Sequence, residues 1–153
     1  MNLCCDLLRD LSGKTLATAE SLTAGWIGAT LASVPGCSAV YKGGVISYCN
    51  EIKHKLLGVS QEVLDQFGPV CAPVAEQMAV GARKALCTDI AVSVTGLAGP
   101  GGDEYGNPQG TVFIGYADEQ TVLSQKFLFA GDRDEVRRQT VEAAVRLVLE
   151  QNR

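Results

Sequence analysis

The chain has 153 residues, of which 46% are hydrophobic and 20% are charged, a size and composition that fit one globular domain over residues 1–153 and exclude a disordered chain. The formal net charge of −4 gives no electrostatic reason to bind nucleic acid or an anionic membrane surface. No stretch approaches the length of a membrane span, and residues 1–6 lack the basic and apolar segments of a signal peptide, so we expect a cytoplasmic protein.

The first part of the chain is predicted to alternate helices and strands. Leu3 to Leu11 has helical spacing, and residues 14–18 form a strand-like run. Residues 22–33 place apolar side chains on one helical face, and Pro35-Gly36 ends that helix. Ser21 is therefore expected where a strand turns into a helix.

The next segments are predicted as a strand followed by two short helices. Residues 39–49 are rich in β-formers and have a bend or bulge at Gly43-Gly44. Asn50 caps a helix that runs to Leu57, and Ser60 caps another that runs to Phe67. Lys53 lies one turn into the first of these helices.

The second half contains a longer helix, three strands and a final helix. In chain order these are Pro73–Leu86, residues 90–94, residues 111–117, residues 121–129, and a helix opened by the capping-box pattern of Asp132 and Glu135. A glycine-rich stretch, residues 96–109, separates the first two of these strands. The order of elements indicates an α/β fold with a mixed sheet covered by helices.

Two loops follow predicted strands, and ligands of open α/β sheets collect beyond the carboxyl ends of the strands. Residues 19–25 and 95–102 are therefore expected to share one cleft. A serine at a helix N-terminus faces unpaired N–H groups that stabilise an alkoxide or an oxyanion, which suits Ser21 as a nucleophile. The alternative is that Ser21 only caps the helix, because serine is a preferred cap residue.

A serine nucleophile needs a base, and Lys53 is the candidate. The lone histidine, His54, lies between two lysines on an expected solvated surface, and the scattered cysteines add no zinc-site spacing, so we expect no metal. Lys53 lies near Tyr48, just past a strand end. To act near neutral pH, its pKa of about 10.4 has to fall by roughly 3 units through burial or nearby positive charge. A solvated helix lysine is the alternative interpretation.

The glycine-rich loop has neither the lysine of a Walker A motif nor a Gly-x-Gly-x-x-Gly pattern, so it gives little support to a triphosphate or dinucleotide site. Its small residues let backbone N–H groups approach a phosphate or a carboxamide beside the Thr95 hydroxyl, although a plain flexible loop explains them equally well. Arg133 and Arg137, near a helix N-terminus, suit a single phosphate or are solvated surface arginines.

Six short motifs follow one another along nearly the whole chain. They are Thr18-Ala19-Glu20-Ser21-x-Thr23-x-Gly25, Gly44-x-x-x-Tyr48-x-Asn50-x-x-Lys53, Leu57-Gly58-Val59, Met78-Ala79-x-Gly81, Thr95-Gly96-x-Ala98-Gly99-Pro100 and Pro108-x-Gly110-Thr111-Val112. Together they resemble the C-terminal domain of the CinA (competence/damage-inducible protein) family of bacteria. Larger family members carry a further N-terminal domain, so this chain is similar to the stand-alone form.

The resemblance implies a three-layer α/β/α sandwich whose mixed, mostly parallel sheet has about five strands. It implies hydrolysis of a pyridine mononucleotide, nicotinamide mononucleotide, to nicotinate mononucleotide and ammonia, without metal or organic cofactor, in a protein that self-associates, as a dimer by analogy. Ser21 matches the nucleophile, Lys53 the base and Tyr48 a supporting hydroxyl, with oxyanion donors at the start of the 22–33 helix. The implied substrate-binding residues are Thr23, Gly25, Thr95, Gly96, Ala98, Gly99, Arg133 and Arg137.

The chain also departs from the family pattern. Leu22 and Ala24 replace the usual cysteine and glycine, and Gly68-Pro69-Val70-Cys71-Ala72 lacks a usual serine and glutamate. Two alternatives to the implied amidase therefore stay open. One is a catalytically silent nucleotide-binding or regulatory module, and the other is an amidase for a different small carboxamide.

Overall fold

The computed structural model describes residues 3–153. Met1 and Asn2, part of the segment compared with signal peptides above, lie outside the described residues. The helices are α1 (Leu3–Asp10), α2 (Trp26–Ala32), α3 (Asn50–Leu57), α4 (Gln61–Phe67), α5 (Ala72–Leu86) and α6 (Arg133–Gln151), with a short 3-10 helix at Cys37–Ala39. The strands are β1 (Leu16–Glu20), β2 (Tyr41–Ile46), β3 (Ile90–Gly96), β4 (Thr111–Ala117) and β5 (Val122–Leu128).

The five strands form one mixed sheet in the order β2-β1-β3-β4-β5. Strand β1 pairs in parallel with β2 and β3, whereas β4 pairs antiparallel with β3 and β5. The mixed sheet is confirmed, and half of its pairings are parallel. Strand β4 is antiparallel to both neighbours because the connections on its two sides contain no helix that would carry the chain back to the starting edge. The carboxyl ends of β1, β2 and β3 meet at one edge, called here the carboxyl edge.

Helices cover both faces of the sheet, which confirms the three-layer arrangement. Successive side chains of a strand point to opposite faces, and β1 shows this alternation. Leu16 packs in the apolar cluster that also contains residues of α1, α2 and α6, whereas Ala17 and Ala19 pack in the cluster formed with α3, α4 and α5. The described residues include no helix whose length and apolar character would allow it to cross a membrane.

The strand-to-helix corner after β1 differs from the prediction. Helix α2 begins at Trp26, four residues later than expected. Ala24 and Gly25 have φ angles of 48° and 98°, a left-handed backbone that a right-handed helix does not contain. Residues 21–25 therefore form a turn, called here the Ser21 turn, and the interpretation of Ser21 as the helix cap is wrong, since Gly25 occupies that position.

Helix α3, which carries Lys53, lies close to α5 because Gly81 has no side chain. A Cβ atom at position 81 would overlap the carbonyl oxygen of Leu57, the last residue of α3. Close packing at this point holds α3 against α5, which itself packs on the sheet.

Gly81→Ala is expected to lower the free energy of unfolding by about 2 kcal/mol because of this overlap. The sign is diagnostic, since alanine in a helix interior is ordinarily about 1 kcal/mol more stable than glycine. Urea unfolding measures the change. Lys84→Ala, exposed on the same helix, is the control and is expected to stay within about 0.5 kcal/mol. A more stable Gly81→Ala would contradict the close approach.

Candidate active site

The carboxyl edge brings Ser21 and Lys53 into contact. The Lys53 Nζ lies 2.9 Å from the Ser21 Oγ and donates to the carbonyl oxygens of Ser47, at 2.9 Å, and Tyr48, at 3.5 Å. The Ser21 N–H donates to the Val94 carbonyl of the neighbouring strand β3. Backbone hydrogen bonds of the sheet therefore set the position of the serine, and the end of β2 sets that of the amine.

The Lys53 amine is buried, with 1% of the residue exposed. Burial lowers the pKa of Lys53 from 10.5 to about 8, and the nearby Cys49 opposes this by raising it. About a tenth of the amine is neutral at pH 7 with a pKa near 8. Lys53 is therefore not a solvated helix lysine, because its side chain runs into the protein and ends at Ser21.

A cleft of about 280 Å³ opens onto this pair. The predicted site residues that line it are Ser21, Tyr48, Lys53, Thr95, Gly96, Ala98, Gly99 and Arg133. The start of the glycine-rich loop thus forms one wall, as expected for two loops that follow neighbouring strands. The Thr95 hydroxyl donates to the Pro69 carbonyl oxygen at 2.7 Å, which connects this wall to the neighbouring wall formed by Pro69 and Val70.

Tyr48 and Arg133 stand together at the mouth of the cleft. The Arg133 Nη2 donates to the Tyr48 hydroxyl at 2.9 Å, and the Nη1 donates to the Gly99 carbonyl oxygen. Tyr48 is 54% exposed. Its hydroxyl thus contacts the guanidinium, whereas its hydrogen bond with Lys53 is made by the backbone carbonyl.

Three predicted substrate-binding residues, Thr23, Gly25 and Arg137, do not line the cleft. The Thr23 hydroxyl and the Gly25 N–H donate to the carboxylate of Glu20, at 2.6 and 3.2 Å. The Arg137 side chain instead donates from Nε to the Leu22 carbonyl at 2.8 Å. All three therefore act on the Ser21 turn itself.

Glu20, which had no assigned role beyond its place in the first motif, holds the Ser21 turn in position. The residue is 2% exposed, and its carboxylate accepts the N–H groups of Ile27 and Gly28, at 2.9 and 3.0 Å, in addition to the donors of the Ser21 turn. These N–H groups belong to the start of α2, so the carboxylate occupies the donors of the helix terminus. An acidic residue within an otherwise uncharged strand, directly before the candidate nucleophile, was the available signal.

Other cleft residues were present in the sequence but had no assigned role. Asn50 of the second motif lines the cleft, as do Pro69 and Val70 of the segment that departs from the family pattern. Cys71 instead occupies the N-cap position of α5. Over the described range 3–153, no three or more His, Cys, Asp or Glu side chains are grouped so that they could hold a metal ion.

The fold and the cleft define a three-layer α/β protein with a buried serine–lysine pair at the carboxyl edge of its sheet. Comparison with known proteins identifies the particular family. The chain belongs to the CinA family, since the model of the CinA C-terminal domain matches residues 2–152. The resemblance noted in the motifs is thereby confirmed.

Individual relatives agree with this assignment. The chain is 41% identical over 140 residues to the nicotinamide-nucleotide amidohydrolase PncC of Escherichia coli (strain K12), covering 91% of this chain and 85% of that protein. It is 47% identical to a CinA-like protein of Geobacter sp. (strain M21), covering 86% of this chain and 31% of that protein. The crystal structure of competence/damage inducible protein CihA from Agrobacterium tumefaciens has a TM-score of 0.95 at 35% identity, covering 99% and 94% of the two chains.

The buried amine is expected to make stability depend on pH. Folding lowers the pKa of Lys53 from 10.5 to about 8, so the unfolded chain binds more protons between these values and stability rises with pH there. Lys53→Met keeps the approximate length of the side chain but removes its charge. The difference in free energy of unfolding between the wild type and this variant should rise by about 3 kcal/mol in favour of the wild type from pH 7.5 to 10.5. Urea unfolding at the two pH values measures this difference.

Lys55→Met is the matched control, because Lys55 lies on the same helix with its side chain largely exposed. Its stability relative to the wild type should change little over the same pH range. Parallel pH dependence of the wild type and Lys53→Met would contradict a lowered pKa of Lys53.

Proposed function

We propose that the protein is a nicotinamide-nucleotide amidase, which hydrolyses the carboxamide of nicotinamide mononucleotide to nicotinate mononucleotide and ammonia. The observation that carries the proposal is the contact of 2.9 Å between the Lys53 Nζ and the Ser21 Oγ at a cleft. A serine hydroxyl in contact with a lysine amine of lowered pKa is suited to acyl transfer. The relative named nicotinamide-nucleotide amidohydrolase supports this choice of carboxamide.

Lys53 acts as the base in its neutral form. A neutral amine has two N–H bonds and one lone pair. The carbonyl oxygens of Ser47 and Tyr48 accept the two N–H bonds, which leaves the lone pair for the proton of the Ser21 hydroxyl. This arrangement orients the base and keeps the hydroxyl within proton-transfer distance.

The reaction takes place in two halves. The Ser21 oxygen attacks the carboxamide carbon while its proton passes to Lys53, and the carbonyl electrons move to the oxygen of a tetrahedral intermediate. As the C–N bond breaks, Lys53 returns the proton to the leaving nitrogen and ammonia departs, leaving an ester on Ser21. Water then attacks the ester with Lys53 again as base, which releases nicotinate mononucleotide and restores the serine.

Arg133 binds the substrate phosphate at the mouth of the cleft. Its guanidinium is exposed to solvent and is held by Tyr48 and by the Gly99 carbonyl. A guanidinium fixed in this way offers forked hydrogen bonds to a phosphate. Tyr48 therefore orients Arg133, the residue that binds the phosphate. Deeper in the cleft, the backbone of the Gly96–Gly99 loop contacts the rest of the substrate.

A second function is favoured by one observation. Pro69 and Val70, in the segment that departs from the family pattern, line the cleft, so this wall is where substrate preference would change towards another small carboxamide. The catalytically silent module is the third outcome that the assay below separates. Self-association and a cytoplasmic location stay predictions.

Purified protein is expected to release ammonia from nicotinamide mononucleotide. Ser21→Ala and Lys53→Ala should each lower kcat at least about 10³-fold, because each removes one member of a unit that acts together. Ser38→Ala and Lys55→Ala, exposed positions away from the cleft, are the controls and should retain wild-type turnover. Circular dichroism checks that each variant is folded.

Each alternative has its own signature in this assay. Undiminished turnover by either Ser21→Ala or Lys53→Ala would contradict the assigned pair. Tight binding of the mononucleotide without ammonia release by the wild type would indicate a silent module. Faster ammonia release from another carboxamide in a substrate panel would indicate a different amidase.

A further inference from the structure

The Ser21 turn contains two backbone N–H groups for which the described chain provides no hydrogen-bond acceptor. From Ser21 to Gly28, the N–H groups that do donate within the chain are those of Ser21, Ala24, Gly25, Trp26, Ile27 and Gly28. The two that remain belong to Leu22 and Thr23. They are the first and second residues after the proposed nucleophile, and Leu22 lines the cleft.

Arg137 fixes the direction of the peptide units in this turn. Its Nε donates to the Leu22 carbonyl at 2.8 Å and its Nη2 to the Thr23 carbonyl at 3.3 Å. The guanidinium also lies over the ring of Trp26, 5.2 Å from the centroid, which holds it in place. In a trans peptide the N–H points opposite to the C=O, so the bond to the Leu22 carbonyl directs the Thr23 N–H away from Arg137.

The Leu22 N–H is directed by a bond within the turn. The Ser21 carbonyl accepts the Ala24 N–H at 3.1 Å, and the Leu22 N–H shares a peptide unit with that carbonyl. It therefore points out of the turn. Neither of these two N–H groups donates to an acceptor in the described chain, which leaves both for a ligand. Leu22 lines the cleft, and Thr23, itself buried, is the next residue along the turn.

We propose that the N–H groups of Leu22 and Thr23 receive the oxyanion of the tetrahedral intermediate, and that Arg137 is the positioning residue that aims them. The inference rests on the amidase function proposed above. The oxyanion lies two bonds from the Ser21 Oγ, so backbone N–H groups next to Ser21 are close enough to donate to it. The donors at the start of α2 do not serve, because the Glu20 carboxylate accepts those of Gly25, Ile27 and Gly28.

This role separates Arg137 from Arg133, the neighbouring arginine on the first turns of α6. Arg133 lines the cleft, whereas Arg137 does not. Loss of Arg133 should therefore weaken binding of the phosphate, and loss of Arg137 should weaken stabilisation of the intermediate. The two effects appear in different kinetic constants.

Steady-state kinetics of Arg137→Met with nicotinamide mononucleotide is the test. We expect kcat to fall on the order of 10²-fold, since misplacing oxyanion donors costs about that much, with KM within twofold of the wild type. Arg137→Lys, which keeps one donor, should recover part of the loss and gives the same comparison if the methionine variant folds poorly. The apparent pKa of the Ser21–Lys53 pair should stay unchanged.

Two inhibition constants, which do not depend on the fraction of active protein, distinguish positioning from a general loss of structure. The Ki of pyridine-3-boronic acid, which forms a tetrahedral adduct with a serine, should rise with Arg137→Met by about the factor by which kcat falls. The Ki of ribose 5-phosphate should stay unchanged. Arg133→Met should show the opposite pattern, with KM and the Ki of ribose 5-phosphate raised at least about tenfold.

Several results would overturn the inference. A higher KM and a weaker inhibition by ribose 5-phosphate in Arg137→Met, with kcat unchanged, would make Arg137 a phosphate ligand. An unchanged Ki of pyridine-3-boronic acid would make its role purely structural. A wild-type protein that is inactive on the mononucleotide would overturn the proposed function itself, and this inference with it.

Discussion

The Lys53 amine meets the Ser21 hydroxyl in a buried contact of 2.9 Å, and the proposed chemistry follows from this contact. A lysine that is 1% exposed costs free energy, because burial disfavours its charged form. Two carbonyl oxygens just past the end of β2 offset part of this cost, because they accept the N–H groups of the amine. The parallel pairing of β1 with β2 brings those carbonyls next to the serine, so the sheet topology decides where the buried amine meets the hydroxyl.

The turn that carries the serine is stabilised by two opposite charges. Glu20 accepts N–H groups from the turn and from α2, and Arg137 donates to the carbonyl oxygens of Leu22 and Thr23. These bonds stabilise a left-handed backbone at Ala24 that a non-glycine residue rarely adopts. Their combined effect is a rigid corner in which two N–H groups are left for a ligand, a form of electrostatic preorganisation.

Much of the fold could be predicted because its signals are local. The bounds of β4 and the end of α3 agree with the prediction, and the capping box of Asp132 with Glu135 is present at the start of α6. The predicted cap of α3 was wrong, because Cys49 occupies the N-cap position and Asn50 is the first residue of the helix. The predicted start of α2 was wrong, because nothing in the sequence shows that the backbone at Ala24 is left-handed. The Ser21–Lys53 pairing spans 32 positions; the residues alone left a solvated Lys53 as an alternative, and the family resemblance favoured the pair. Sequence alone did not separate Arg133 from Arg137, because only tertiary packing sends the two side chains to different partners.

If Lys53 is the base and acts as a neutral amine, kcat/KM for nicotinamide mononucleotide has to depend on pH. With a pKa of about 8 for Lys53, kcat/KM should rise about tenfold per pH unit from pH 6.5 and level off above pH 8. A kcat/KM that stays constant from pH 6.5 to 9.5 would contradict a neutral Lys53 base, because no group with that pKa would then need to lose a proton before Ser21 attacks.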